Sequence, residues 1–87
     1  MMSCVSVAGG GFVNIQCNKW MSGDLPGSNL TGPRLTSSEG ACVWECNQAA
    51  GCNAAVRGKN GWCYLKSVSP NVSPIAGNYY SYYAKCS

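Results

Sequence analysis

The sequence predicts a small α+β domain in which disulfides staple one helix to a small antiparallel sheet. Three observations predict it. Seven cysteines fall within 87 residues, the density of a disulfide scaffold. The stretch after Leu35 opens with a helix-capping pattern, and its Cys42 and Cys46 share one helical face. The stretch 53–66 reads as two short strands around Gly58-Lys59-Asn60-Gly61, a hairpin signal.

Length and composition bound the rest. The chain 1–87 makes a single domain. A chain this short is marginal without help, and each disulfide contributes roughly 2–4 kcal/mol. The compartment implied is oxidising: secreted, at the cell surface or in a cell wall. Six basic and three acidic residues leave a net charge of +3. Lys19, Arg34, Arg57, Lys59, Lys66 and Lys85 are scattered along the chain, which reads as solubilising charge and not as a nucleic-acid footprint. No apolar run approaches membrane-spanning length. Met1-Met2 precedes Ser3 and Cys4 without the basic start and apolar core of a signal peptide, which predicts a mature domain cut from a longer precursor.

Taken in order, the first element is an N-terminal hairpin. Val5-Ser6-Val7 alternates, Gly9-Gly10-Gly11 breaks the pattern, and Phe12, Val13 and Ile15 resume it. If the glycines close a hairpin, Cys4 faces Cys17. That register favours a Cys4–Cys17 bond and leaves Cys86 odd, as an intermolecular link, a free thiol or a buried inert one. Met21 to Arg34, rich in Gly, Pro, Ser and Asn, reads as an ordered loop anchored by Leu25, Leu30 and Leu35. Asn29-Leu30-Thr31 is a glycosylation sequon, as is Asn71-Val72-Ser73 in a second loop, Ser67 to Asn78. Glycans on Asn29 and Asn71 would require both loops to be exposed.

The helix is predicted over about 38–50. Thr36 or a following serine is its cap, Glu39 suits the positive end of its dipole, and Gly51 terminates it in a left-handed conformation. Val43, Ala49 and Ala50 broaden the apolar side, with Glu45 and Gln48 in water. Asn53 to Arg57 and Trp62 to Lys66 form the hairpin strands, with Asn60-Gly61 supplying positive φ at the turn. In the return strand Cys63 and Leu65 share one face, and Trp62, Tyr64 and Lys66 the other. Cys46 and Cys52 lie close across the helix end and bridge locally. Cys42, one turn back, then reaches Cys63. The final strand, about 79–84, places Tyr79, Ser81 and Tyr83 on one face and Tyr80, Tyr82 and Ala84 on the other.

A helix bearing C-x3-C, then a third cysteine, then a hairpin ending in Cys63-Tyr64-Leu65-Lys66 resembles the PAN/apple family. Gly27-Ser28-Asn29-Leu30 stands where that family has its G-x-[DN]-L segment. Phe12-Val13-Asn14-Ile15-Gln16-Cys17 resembles the first strand of small fungal-type members. The likeness covers most of Phe12 to Tyr83. It implies a sheet of about five antiparallel strands cradling one helix, and an extracellular role in binding proteins or carbohydrates. PAN/apple modules are not enzymes by themselves. The larger apple-type arrangement also supplies a rival to the N-terminal bond, in which Cys4 or Cys17 ties down Cys86.

The chain has no histidine, which removes the usual general base and the Cys–His and Ser–His nucleophile pairs. Asp24, Glu39 and Glu45 are its only side-chain carboxylates, and the two on the helix point to different sides, unsuited to paired-carboxylate hydrolysis. No enzyme and no cofactor are expected. A zinc site of Cys42, Cys46, Cys52 and Cys63 is disfavoured because paired C-x2-C knuckles are missing. Three acids without a loop pattern serve calcium poorly. The strongest binding signal is aromatic: Trp20, Trp62, Tyr64, Tyr80 and Tyr82, set against a reading in which these rings only fill the core. Flat rings suit the apolar face of sugars and dominate protein hot spots. The expectation is therefore a lectin-like module for carbohydrate or extracellular glycoprotein. Its competitors are a self-associating surface or filament protein and a secreted effector or inhibitor of a host protein.

Overall fold

The computed structural model of the protein describes residues 12–86. Its strands are β1 (Trp20–Ser22), β2 (Ser28–Asn29), β3 (Arg34–Leu35), β4 (Ala54–Gly58), β5 (Trp62–Ser67) and β6 (Tyr80–Ala84), and its helix is α1 (Glu39–Gln48). The sheet runs β1-β6-β4-β5, with β2 and β3 both pairing along the outer edge of β5. All these pairings are antiparallel. Since β2 and β3 share one edge, the six strands fill five positions, and the predicted α+β class holds.

Helix α1 starts where the sequence allows a cap. Ser38 adopts an extended backbone, and its Oγ accepts from Ala41 N at 3.1 Å. Thr36 acts elsewhere. Its hydroxyl donates to Gly61 O and accepts from Arg57 Nε, tying the helix approach to the hairpin turn. The helix ends at Gln48, two residues early. Gly51 takes a left-handed φ of 82° where the chain turns toward Cys52, a conformation that glycine adopts without steric penalty. The hairpin turn also differs in detail. Gly61 N donates to Gly58 O, and Gly61 has a positive φ while Asn60 does not. This is the three-residue loop with a left-handed last residue, and not the two-residue form expected for Asn-Gly.

The two faces of the sheet carry separate cores. Cys42, Cys46, Cys52, Ala55, Cys63 and Leu65 form one under the helix. Cys42–Cys63 and Cys46–Cys52 are bonded, with Cα separations of 5.6 and 5.4 Å. Both nested bonds are as predicted. Phe12, Leu25, Ala54, Val56, Val68, Tyr82 and Ala84 form the other core, closed by loops.

The N-terminal reading needs correction. Phe12 to Ile15 is not a strand; Phe12 is instead a buried plug in the loop-covered core, and Cys17 makes one isolated parallel bridge to Ala84. Cys17 is bonded to Cys86, Cα to Cα 5.6 Å, so the expected Cys4–Cys17 bond and the odd Cys86 give way to the terminal bridge. The reason is local. Asn18, in a left-handed conformation, accepts from Cys86 N and Tyr83 Oη, which brings the end of β6 to Cys17. Cys4 and the glycine run lie outside the described residues. Of the expected loop anchors, Leu25 is buried but Leu30 and Leu35 are exposed, because β2 and β3 form the sheet's edge.

Candidate functional site

Strand alternation sets the site. Trp62, Tyr64 and Lys66 point away from the helix, because Cys63 and Leu65 between them enter the helix-side core. Across the sheet, Tyr64 lies opposite Val56, and Val56 opposite Tyr82. Two register positions further on, on the same face, Gly58 lies opposite Tyr80. The loop-covered core closes only part of this face. Toward the hairpin turn, Tyr64 and Tyr80 are half-buried, and Trp62 and Tyr79 are exposed.

The rings are arranged edge to face. Tyr64 and Tyr80 centroids lie 6.3 Å apart with planes at 78°, and Tyr79 and Tyr80 4.8 Å apart at 83°. Such pairs add about 0.5–1.5 kcal/mol beyond area burial. Gly58 makes the arrangement possible. A β-carbon there would lie 2.9 Å from Asn60 Oδ1, 3.0 Å from Tyr79 Cε2 and 3.2 Å from Tyr80 Cε1. Tyr79 precedes β6, so strand alternation does not bind it, and its ring sits beside Tyr80 and not with Tyr83 as predicted.

Two hollows share Tyr80 and Asp24 in their walls. One, of about 310 Å³, is a mostly apolar trough walled by Ile75, Ala76, Gly77, Asn78 and Tyr79. The other, of about 170 Å³, is bounded by Asp24, Asn29, Val56, Tyr64, Lys66 and Tyr80. Asp24 is placed by a long-range bridge, its N donating to Ile75 O and its own O accepting from Ile75 N. Its Oδ1 accepts from Leu25 N at 2.8 Å. Lys66 Nζ donates to Gly27 O at 3.1 Å. The Tyr80 phenol is held above its ordinary value of 10.0, first by desolvation and then by the nearby Tyr64, Asp24 and Tyr79. Burial raises Tyr82 in the same direction.

The structure thus gathers Trp62, Tyr64 and Tyr80 on one face and separates two other expected binding residues from them. Tyr82 is only 5% exposed, because Val56 and the loop core cover it. Trp20 lies on the opposite face, 5.4 Å from Tyr83 and packed against the helix-side core. Asn29 and Asn71 are both exposed, though Asn29 sits in β2 and not in a loop. Asp24, Gly58, Lys66, Ile75 and Tyr79 join the site without having been singled out. Lys66 was legible, since it alternates with Trp62 and Tyr64. Asp24 had no local signal, because only its pairing with distant Ile75 brings it there.

The four sulfurs that a zinc site would use are committed to two disulfides, and no cluster that could hold a metal ion occurs among the described residues. No helix among them is long and apolar enough to cross a membrane. Comparison with protein-family models, curated proteins and solved structures finds no match.

Proposed function

We propose that this chain is an extracellular, non-catalytic recognition module of the PAN/apple type that binds carbohydrate or glycoprotein through the half-open sheet face. One observation carries the reading. Tyr64, Tyr79 and Tyr80 line two hollows on the face opposite the disulfide-anchored helix, and Trp62 is exposed further along the same face. Rings standing beside a carboxylate, an ammonium and an amide offer both the stacking and the hydrogen bonds that sugars use. Three disulfides within a short chain are compatible with an oxidising setting. A glycan array paired with a glycoprotein pulldown tests the proposal. Tyr64→Ala, Tyr80→Ala and Trp62→Ala should each weaken capture of the ligand found. Unchanged capture by all three refutes the assignment.

One observation favours a second reading, self-association. Leu35, 66% exposed on the two-residue outer strand, is the register partner of exposed Trp62. An exposed apolar strand edge is a surface on which copies can meet. A monodisperse monomer at high concentration under oxidising conditions would remove this reading.

A further inference from the structure

We propose that the 170 Å³ cavity takes a single uncharged sugar residue, gripped through two neighbouring hydroxyls by Lys66 as donor and Asp24 as acceptor. The proposal rests on the carbohydrate reading above and narrows its ligand class. Lys66 is only 8% exposed, the one charged residue in the buried set. Lysine is rarely buried this far without a carboxylate partner. Here the ammonium's one hydrogen bond among the described residues goes to the Gly27 carbonyl. An ammonium has three donors, so two remain unspent. Asp24 is likewise without an ion pair, since Arg34–Glu45 is the salt bridge found among the described residues. Of its two carboxylate oxygens only Oδ1 is engaged among the described residues, by Leu25 N.

The two groups therefore line one cavity with opposite charges and unused hydrogen-bonding capacity. That pairing selects against charge in the ligand. A carboxylate that met Lys66 would also face Asp24, and an ammonium that met Asp24 would face Lys66. A hydroxyl both donates and accepts, so adjacent hydroxyls satisfy the pair without adding charge. Asn29 on the cavity wall adds an amide of both capacities. The size agrees: a hollow of about 170 Å³ is room for one sugar ring and not for a chain. Tyr64 and Tyr80 supply the apolar walls, and the neighbouring trough along Tyr79 and Ile75 receives whatever the sugar is attached to.

Calorimetric titration tests this with methyl glycosides of glucose, galactose, mannose and their N-acetylated forms. The matching uronic acids and free amino sugars serve as charged probes. At least one neutral glycoside should bind roughly tenfold or more tightly than its charged counterparts. Asp24→Asn, which keeps the shape, should weaken it about tenfold, the scale of one lost charge-assisted hydrogen bond. It should also narrow the gap to the uronate. Lys66→Met should abolish binding while retaining a native circular dichroism spectrum. Should Lys66→Met fail to fold, Asp24→Asn and the charged probes decide alone. A preference for uronate or amine, or an unaltered affinity in Asp24→Asn, overturns the proposal. If glycans bind the aromatic face but no monosaccharide enters the cavity, this proposal fails and the recognition reading stands. If no glycan binds in either assay, both fall.

Discussion

The two faces of the sheet are closed by different means. On the helix face, two disulfides of short sequence separation, 21 and 6 residues, hold α1 against β5 and the start of β4, with Ala55 and Leu65 filling what remains. On the opposite face no helix lies among the described residues. Loops carrying Phe12, Leu25 and Val68 cover part of it, and one bridge of separation 69 ties the strand end at Cys86 back to Cys17. The helix face needs almost no aliphatic bulk, because sulfur does the cross-linking. On the other face the loop cover among the described residues leaves Tyr64, Tyr79 and Tyr80 lining open hollows, with Trp62 exposed beside them on β5. Two short-range bridges secure one side of the sheet, and one long-range bridge with loop packing secures the other, where the proposed site lies.

The comparison is broken most severely by removing bridges. In the chain-entropy account, stabilisation grows with the loop closed. Replacing Cys17 and Cys86 together by serine should lower stability by about 4 kcal/mol, Cys42 and Cys63 by about 3, and Cys46 and Cys52 by about 2. Denaturant unfolding of the three double variants checks the order. A reversed order would mean that the helix-face bridges also relieve or impose native strain.

The tyrosines sharpen the contrast within a single strand. Tyr82→Ala empties a buried position and should cost about 3 kcal/mol of stability. Tyr80→Ala removes a half-exposed ring and should cost clearly less, chiefly its two edge contacts, while ligand capture falls. Thermal melts of both variants beside the binding assay separate the roles. Equal destabilisation would erase the distinction between core and site.

Much of this partition was legible in the sequence. Cys42 and Cys46 four apart, Cys52 just past the helix end and Cys63 facing inward on β5 define two bonds by spacing and strand alternation alone. The same alternation assigned Tyr64 and Lys66 to the far face. What it could not give was depth. Tyr80 and Tyr82 share a face, but only the long-range cover from Leu25 and Val68 buries one and leaves the other half-open. The terminal bridge was legible only as the rival pairing that the family resemblance supplied. Glycine spacing suggested a local partner for Cys17, whereas Asn18 joins it to the far end of the chain through bonds 65 and 68 residues apart.

Smaller effects follow from modification and pH. A glycan on Asn29 would stand at the mouth of the Lys66 cavity, whereas Asn71 lines neither hollow. Where the chain is glycosylated, Thr31→Ala, which removes the sequon and keeps Asn29, should restore or increase ligand capture and Asn71→Gln should leave it unchanged, with occupancy read by mass spectrometry. The pH effect is the slightest. Tyr82, held above 10.0 by burial, favours folding while its phenol is neutral. That contribution is complete below 10.0 and lost as pH rises through the higher folded value. Ultraviolet titration should show tyrosinate formation above 10.0 that coincides with unfolding and is reduced in Tyr82→Phe, with Tyr80 supplying the remainder.

Amide chemical-shift mapping of the oxidised protein with a ligand from the glycan array tests the division between the two faces most directly. The largest shifts should fall on Asp24, Asn29, Tyr64, Lys66, Tyr79 and Tyr80, leaving the outer surface of α1 around Trp44, which is 59% exposed, unmoved. Shifts centred on Trp44 and the helix, with the tyrosine face silent, would contradict it.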